Sequence, residues 1–401
     1  MIGFQMCRNL CQVFLFSLLV SASFATPGQT LGAAVLRGDN PQIIEALQRG
    51  EDVNAKNAFG VSLFVSACTL APISTIKLLL ANGANVDLQN PLNGQTPLML
   101  VIRRFGDIQA SKTILAMGAD VNARSKDGWT AFMDAVSAPN NALEIATLLI
   151  EAGAKIDAKT ENGSTALFWT KDTAISRLLQ SRGADIDAQD SAGDTPLFVA
   201  VNYGRESMVK QLIDSGAKIN AKNRQGETAF LRALKAEGGN STGEFVLSEM
   251  LLLAGSNVNI ADTKGETPLM HAVKEIDIGQ DSRDARQHVV QQLITKGANV
   301  NRRANNGTTA LMRSASAGNS DMVKLLLQHG ANPNIADNDG STALFWALGN
   351  GMPRYRNATL MELIKGGADT DIKQKNGKTV FDLAESEVAL EIKKYLEAKG
   401  K

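Results

Sequence analysis

Residues 190–222 read DSAGDTPLFVAVNYGRESMVKQLIDSGAKINAK, and the organisation of the whole chain follows from this stretch. Gly193 marks a turn just ahead of Thr195-Pro196-Leu197. Threonine is a helix N-cap type, and Pro196 falls at the first helical position, where a missing N–H has no intrahelical partner to lose. A short apolar helix is expected over Leu197–Val201, interrupted by Gly204. Met208, Val209, Leu212 and Ile213 then fall at i, i+1, i+4 and i+5, which is one apolar stripe on a second helix. Gly216 is placed to end that helix in a left-handed cap. Two helices and a hairpin in 33 residues cannot bury a core of their own.

The unit recurs. Its threonine position is Ser62, Thr96, Thr130, Thr165, Thr195, Thr228, Thr267, Thr309, Thr342 and Thr379, at spacings of 34, 34, 35, 30, 33, 39, 42, 33 and 37 residues. The ending recurs as Gly83-Ala84, Gly118-Ala119, Gly153-Ala154, Gly183-Ala184, Gly216-Ala217, Gly255-Ser256, Gly297-Ala298, Gly330-Ala331 and Gly367-Ala368. A period near 33 with T-P-L and G-A-x-V-N signatures in fixed phase resembles the ankyrin repeat family, from about Leu31 to the C-terminus. The resemblance implies an all-α repeat solenoid of helix-loop-helix units joined by β-hairpin loops, about ten to eleven repeats with caps. Residues 26–57, which lack the T-P-L turn, are expected to form an N-terminal cap. Residues 58–374 are expected to form nine repeats, and residues 375–401, polar after Thr379, the C-terminal cap.

Composition agrees with a folded chain, at 44% hydrophobic and 20% charged residues. Formal charge is zero, so nothing suggests a nucleic-acid partner. Residues 1–25 resemble a secretory signal peptide: Arg8 is their only charge, Leu10–Val20 is apolar, and Ser23-Phe24-Ala25 offers small residues for cleavage before Thr26. That run is shorter than the ~20 residues a spanning helix needs, so no stable membrane anchor is expected after cleavage. Removal also takes Cys7 and Cys11, leaving Cys68 as a lone thiol in a small-residue slot of a first helix. The expected destination is the periplasm, with secretion as the second possibility.

Two departures from the repeat pattern stand out. Most ankyrin repeats carry His two positions after Pro; here the slot holds Met99, Met133, Phe168, Phe198, Leu231, Met270, Met312 and Phe345. The polar link that His makes between hairpins should give way to apolar burial. Three repeats are also lengthened, by Lys235–Phe245, Lys274–Val289 and Gly349–Thr359, each between first and second helix, which reads either as the mark of a binding face or as tolerated loop growth.

No catalytic constellation is evident. The three histidines, His271, His288 and His329, show no metal-ligand spacing, and one cysteine makes no zinc cluster. No nucleophile elbow or phosphate-cradling loop appears. The expectation is therefore no enzyme, no cofactor and no metal. An enzyme using the insertion around His271–His288, or Cys68, is the least favoured alternative. N-x-S/T triplets at Asn162, Asn240, Asn306 and Asn357 are read as inert.

The remaining function is binding. In ankyrin-like stacks the hairpin tips and first helices line a groove that selects a partner protein. By that resemblance the candidates are Arg103 and Arg104; Lys126, Asp127 and Trp129; Asp194, Asn202 and Tyr203; Arg224, Gln225 and Glu227; and Lys264 and Glu266. Trp, Tyr and Arg are the types that dominate interface energy. Trp169 and Trp346 read equally as groove anchors or as packing between repeats. The leading expectation is an exported, monomeric, non-catalytic scaffold for a protein partner. The alternatives are an inhibitor, immunity or protective partner of a periplasmic or secreted enzyme, and a secreted host-directed effector.

Overall fold

The computed structural model of the chain describes residues 30–138, 140–237, 245–273, 280–350, 353–384 and 386–398. The signal-like segment 1–25, Asn240 and parts of all three insertions lie outside them. The regular structure among the described residues is helical; the hairpin tips hold a single isolated bridge, Lys56 with Ser62. The chain divides into two units, 1–191 and 192–401.

In the first unit the helices are α1 (Thr30–Arg37), α2 (Asn40–Gln48), α3 (Leu63–Leu70), α4 (Ile73–Ala81), α5 (Pro97–Phe105), α6 (Ile108–Ala116), α7 (Ala131–Ser137), α8 (Ala142–Glu151), α9 (Ala166–Trp169) and α10 (Thr173–Ser181). The second unit holds α11 (Pro196–Asn202), α12 (Glu206–Asp214), α13 (Ala229–Glu237), α14 (Val246–Leu253), α15 (Pro268–Ala272), α16 (Gln280–Thr295), α17 (Ala310–Ser316), α18 (Ser320–Gln328), α19 (Ala343–Asn350), α20 (Pro353–Lys365) and α21 (Ser386–Ala398). Within each unit first helices pack on first helices and second on second: α3, α5, α7 and α9 form one row, α4, α6, α8 and α10 the other. The core lies between the two layers.

Local chemistry sets the helix ends. The hydroxyls of Ser62, Thr96, Thr130, Thr195, Thr228, Thr267 and Thr309 accept from the N–H three residues on. At the other end Gly216 sits at φ +85°, its N–H on the Ile213 carbonyl and that of Ala217 on Leu212. That is a Schellman cap, and a side chain there would be strained. The shortened repeat shows the cost of lost length: α9 keeps four residues, and Thr165 makes no cap bond. The slots that lack His are filled as expected, Met99, Met133, Leu231, Met270 and Met312 being fully buried.

The insertions differ from simple loop growth. Where described, they lengthen helices: α16 has 16 residues and α20 has 13, against nine for α12. In α16 a buried stripe continues into the extra turns. Arg286, Val289, Val290 and Leu293 are all at most 2% exposed. The Arg286 guanidinium donates to the Ala272 carbonyl at 3.2 Å and lies 5.6 Å from the Phe245 ring centre.

Candidate partner-binding surface

Each hairpin tip is closed by its own backbone and tied to the next. Ser125 N–H donates to the Trp129 carbonyl, and Gly128 N–H to the Ser125 carbonyl. Between tips runs one bond per step. Lys126 N–H meets the Asn93 carbonyl and Glu161 N–H the Asp127 carbonyl, both at 2.9 Å, and Ser191 N–H meets Asn162. In the second unit the series is Arg224 to Ala192, Thr263 to Gln225, Asn305 to Lys264, Asn338 to Asn306 and Lys375 to Asp339. The backbone is thus used within the ladder, and the side chains of Lys126, Asp127, Arg224, Gln225 and Lys264 are left exposed.

A second seam runs through the Asn of the G-A-x-V-N signature. Asn301 donates its amide to the Gly330 carbonyl at 2.9 Å and accepts the Asn332 N–H at 2.7 Å. Asn54, Asn122, Asn220, Asn259 and Asn334 make the same two-point clasp on the following repeat.

In the first unit three successive repeats build an aromatic cluster. Trp129 and Trp169 lie with ring centres 5.0 Å apart at 39°. The Arg103 guanidinium lies 5.8 Å from the Trp129 ring centre and holds Asp134 Oδ1 at 2.7 Å. Asp134 is only 2% exposed, and burial pushes its carboxyl above the ordinary value although Arg103 opposes that shift. Its Oδ2 and the Trp169 indole N–H are both buried without a hydrogen-bond partner among the described residues. Arg104 points elsewhere: it donates to the carbonyls of Ala71 at 2.8 Å and Leu70 at 3.0 Å, and so caps α3 of the preceding repeat.

In the second unit the centre is ionic. Lys235 reaches Glu227 at 2.5 Å and Asp262 at 3.1 Å, while Arg313 pairs with Glu266. Burial pushes the Lys235 ammonium down, but Glu227 and Asp262 outweigh it and the net direction is up. Burial likewise raises the Asp262 carboxyl, and the Glu266 N–H with Lys235 brings it below its ordinary value. His271 Nε2 lies 3.3 Å from Glu266 and 3.5 Å from Asp262. Burial, then the charge of Lys235, lowers its pKa to about 4, so the ring is neutral at pH 7. Asp194 accepts from the Asn223 amide at 2.9 Å, and Asn202 from Arg232 at 2.7 Å. Tyr203 is 40% exposed, with the Arg205 guanidinium 4.9 Å from its ring centre.

Of the thirteen expected site residues, four meet in the two clusters, and the other nine make the separate contacts described above or stand exposed on the tips. Arg103 and Trp129 meet in the aromatic cluster; Glu227 and Glu266 meet in the ionic one. Asp134, Arg232 and Arg313, overlooked in sequence, share one column with Trp169, His271 and Trp346, four places after the capping threonine. On the inner side of a first helix this column faces the tips. Trp346 donates to Asp337 of its own tip at 2.8 Å, as His271 faces Asp262. The signal was available: polar and aromatic types interrupt a column that elsewhere holds Leu100 and Val199.

Comparison with known proteins accords with this geometry. The family described as "Ankyrin repeats (3 copies)" matches residues 31–124, 63–160, 132–223, 166–250, 240–337 and 282–374. SH3 and multiple ankyrin repeat domains protein 2 of Homo sapiens is 29% identical over 39% of this chain and 9% of its own length. Ankyrin repeat and SOCS box protein 6 of Homo sapiens is 28% identical over 30% of each chain. A putative palmitoyltransferase of Danio rerio, ZDHHC13, is 30% identical over 33% of this chain and 20% of its own, in its ankyrin region alone. The chain spans less than a third of the length of these relatives. With the matches running from residue 31 to 374, the chain belongs to the ankyrin repeat family, whose repeats act as protein-interaction scaffolds.

Proposed function

We propose that the chain is an exported, non-catalytic scaffold that captures a protein partner on its tips and first helices, as a monomer in the periplasm. The observation that carries this reading is the Trp129–Trp169 pair with Arg103 beside it. Two half-buried indoles meet at a tilt across neighbouring repeats next to a cation. Trp and Arg are the residue types that concentrate binding energy. Export rests on the charge and apolar pattern of residues 1–25, with Thr26 as the first mature residue.

The test is affinity capture from the native compartment with wild type and Trp129→Ala/Tyr203→Ala. Loss of one hot-spot side chain costs 2 kcal/mol or more, roughly a 30-fold weakening. Equal recovery of every partner by both proteins sinks the surface assignment. N-terminal sequencing of protein from the periplasmic fraction tests export; a chain retaining Met1 in the cytoplasm refutes it.

A further inference from the structure

We propose that Asp262, Glu266 and His271 form a binding site for one divalent transition-metal cation, of which zinc is the natural probe. Among the described residues this is the one place where three such side chains bring ligand atoms within 4.8 Å of one another. All three belong to one repeat: Asp262 opens the hairpin tip, Glu266 closes it, and His271 faces both from the first helix. In the corresponding places the neighbouring repeats carry Asn223, Glu227 and Arg232, or Ala304, Thr308 and Arg313, so the set is peculiar to this repeat.

The geometry suits a metal. Zinc binds imidazole and carboxylate at about 2.0–2.2 Å, which places tetrahedral ligands about 3.4 Å apart. His271 Nε2 stands 3.3 Å from Glu266 Oε2 and 3.5 Å from Asp262 Oδ2, so two of the three edges are already at that spacing. A second observation points to a missing ligand: the His271 side chain is 8% exposed, and its Nε2, close as it lies to both carboxylates, is buried without a well-formed hydrogen bond among the described residues. Buried polar atoms seldom go unpaired. The carboxylates are also held for the purpose. Asp262 Oδ1 accepts the Lys264 and Glu266 N–H groups at 2.9 and 3.0 Å, so that Oδ2 lies between the imidazole at 3.5 Å and the Lys235 ammonium at 3.1 Å. Such outer contacts orient metal ligands.

The surrounding charges leave room for a cation. Among the described residues Glu227, Asp262 and Glu266 pair with Lys235 and Arg313, three carboxylates against two cations. Lys235 keeps Glu227 if Asp262 turns to a metal, and Arg313 holds Glu266 through Oε1, not Oε2. A dication changes the sign of the cluster and pins the tip to its helix. Lys235 is then the built-in competitor of the metal.

The experiment is calorimetric titration of the metal-stripped full chain with zinc chloride, with cobalt(II) absorption as the spectroscopic readout. The expected result is one equivalent bound and a rise in Tm on loading. Glu266→Gln keeps shape and is expected to weaken binding at least tenfold; His271→Ala is expected to abolish it, with circular dichroism checking the fold. Lys235→Met is expected to tighten zinc binding while lowering the Tm of the metal-free protein, a combination that a purely structural ion network does not give. No saturable one-equivalent binding by wild type overturns the proposal. So does zinc affinity that Glu266→Gln and His271→Ala leave unchanged.

Discussion

Replacing Gly128 by alanine probes whether the tips are locked to one another. Gly128 has φ +77° and Gly153 has φ +89°, so a Cβ brings left-handed strain to both. That strain is about 1–2 kcal/mol. Their surroundings differ. A Cβ on Gly153 meets nothing within 4 Å, whereas one on Gly128 lies 2.9 Å from Glu161 N and 3.0 Å from Thr160 C of the next tip. The Arg124 guanidinium, 2.6 Å away, can swing aside; the backbone cannot. Restoring ordinary contact moves that tip by about 0.5 Å, at the expense of the 2.9 Å bond from Glu161 N–H to Asp127. Such a bond contributes about 0.5–1.5 kcal/mol. Gly153→Ala is therefore expected to cost about 1–2 kcal/mol and Gly128→Ala about 1.5–3.5 kcal/mol. Urea unfolding supplies the two free energies, and amide exchange at Glu161 reports the ladder bond directly. Equal costs, or unaltered protection of Glu161 in Gly128→Ala, would refute the reasoning.

Other consequences are open to measurement. Asn301→Ala removes both bonds of one clasp and is expected to lower stability by about 1–2 kcal/mol in urea, while leaving the neighbouring repeats helical. Cys68 is fully buried, and burial pushes its thiol far above the ordinary value. Alkylation should therefore be negligible in the native chain and fast in 6 M guanidinium, roughly a condition of complete unfolding for such a fold. Asp107 caps α6 through the Ala110 N–H at 2.7 Å and pairs with Lys77 at 3.1 Å. Burial raises its carboxyl, yet these bonds prevail and hold it below 3.8. Its stabilisation is thus present above pH 3.8 and disappears as pH falls through the lower folded value. Asp107→Ala should cost about 1 kcal/mol near neutrality and progressively less under acid, as followed by thermal melts.

The fold was legible because its two punctuation marks are local. A capping threonine and a helix-ending glycine act within four residues of themselves, and their phase repeats along the chain. The insertion at 274–289 departs from loop growth for a physical reason. DSRDARQHVV is polar enough to look like a loop, yet Arg286, Val289 and Val290 fall on one buried helical face. Roles that depend on another repeat were invisible. The Asn of G-A-x-V-N stood in plain sight, but its partner Gly330 lies 29 residues beyond Asn301. The inner column of Asp134, His271 and Arg313 was hidden by its company, since residues on either side belong to the core. Glu227 and Glu266 were reached through their place beside a tip, while Lys235 and Asp262, which neutralise or flank them, were not.

The asparagine clasp bears on how such a chain changes over generations. Its donor and acceptor are offered to a glycine carbonyl and an N–H that nearly every unit supplies, irrespective of what else that unit contains. A copying slip that adds or deletes one cassette between two clasps brings together surfaces that already match. Lineages of this chain can therefore lengthen, shorten or reshuffle what they display without first inventing a new joint.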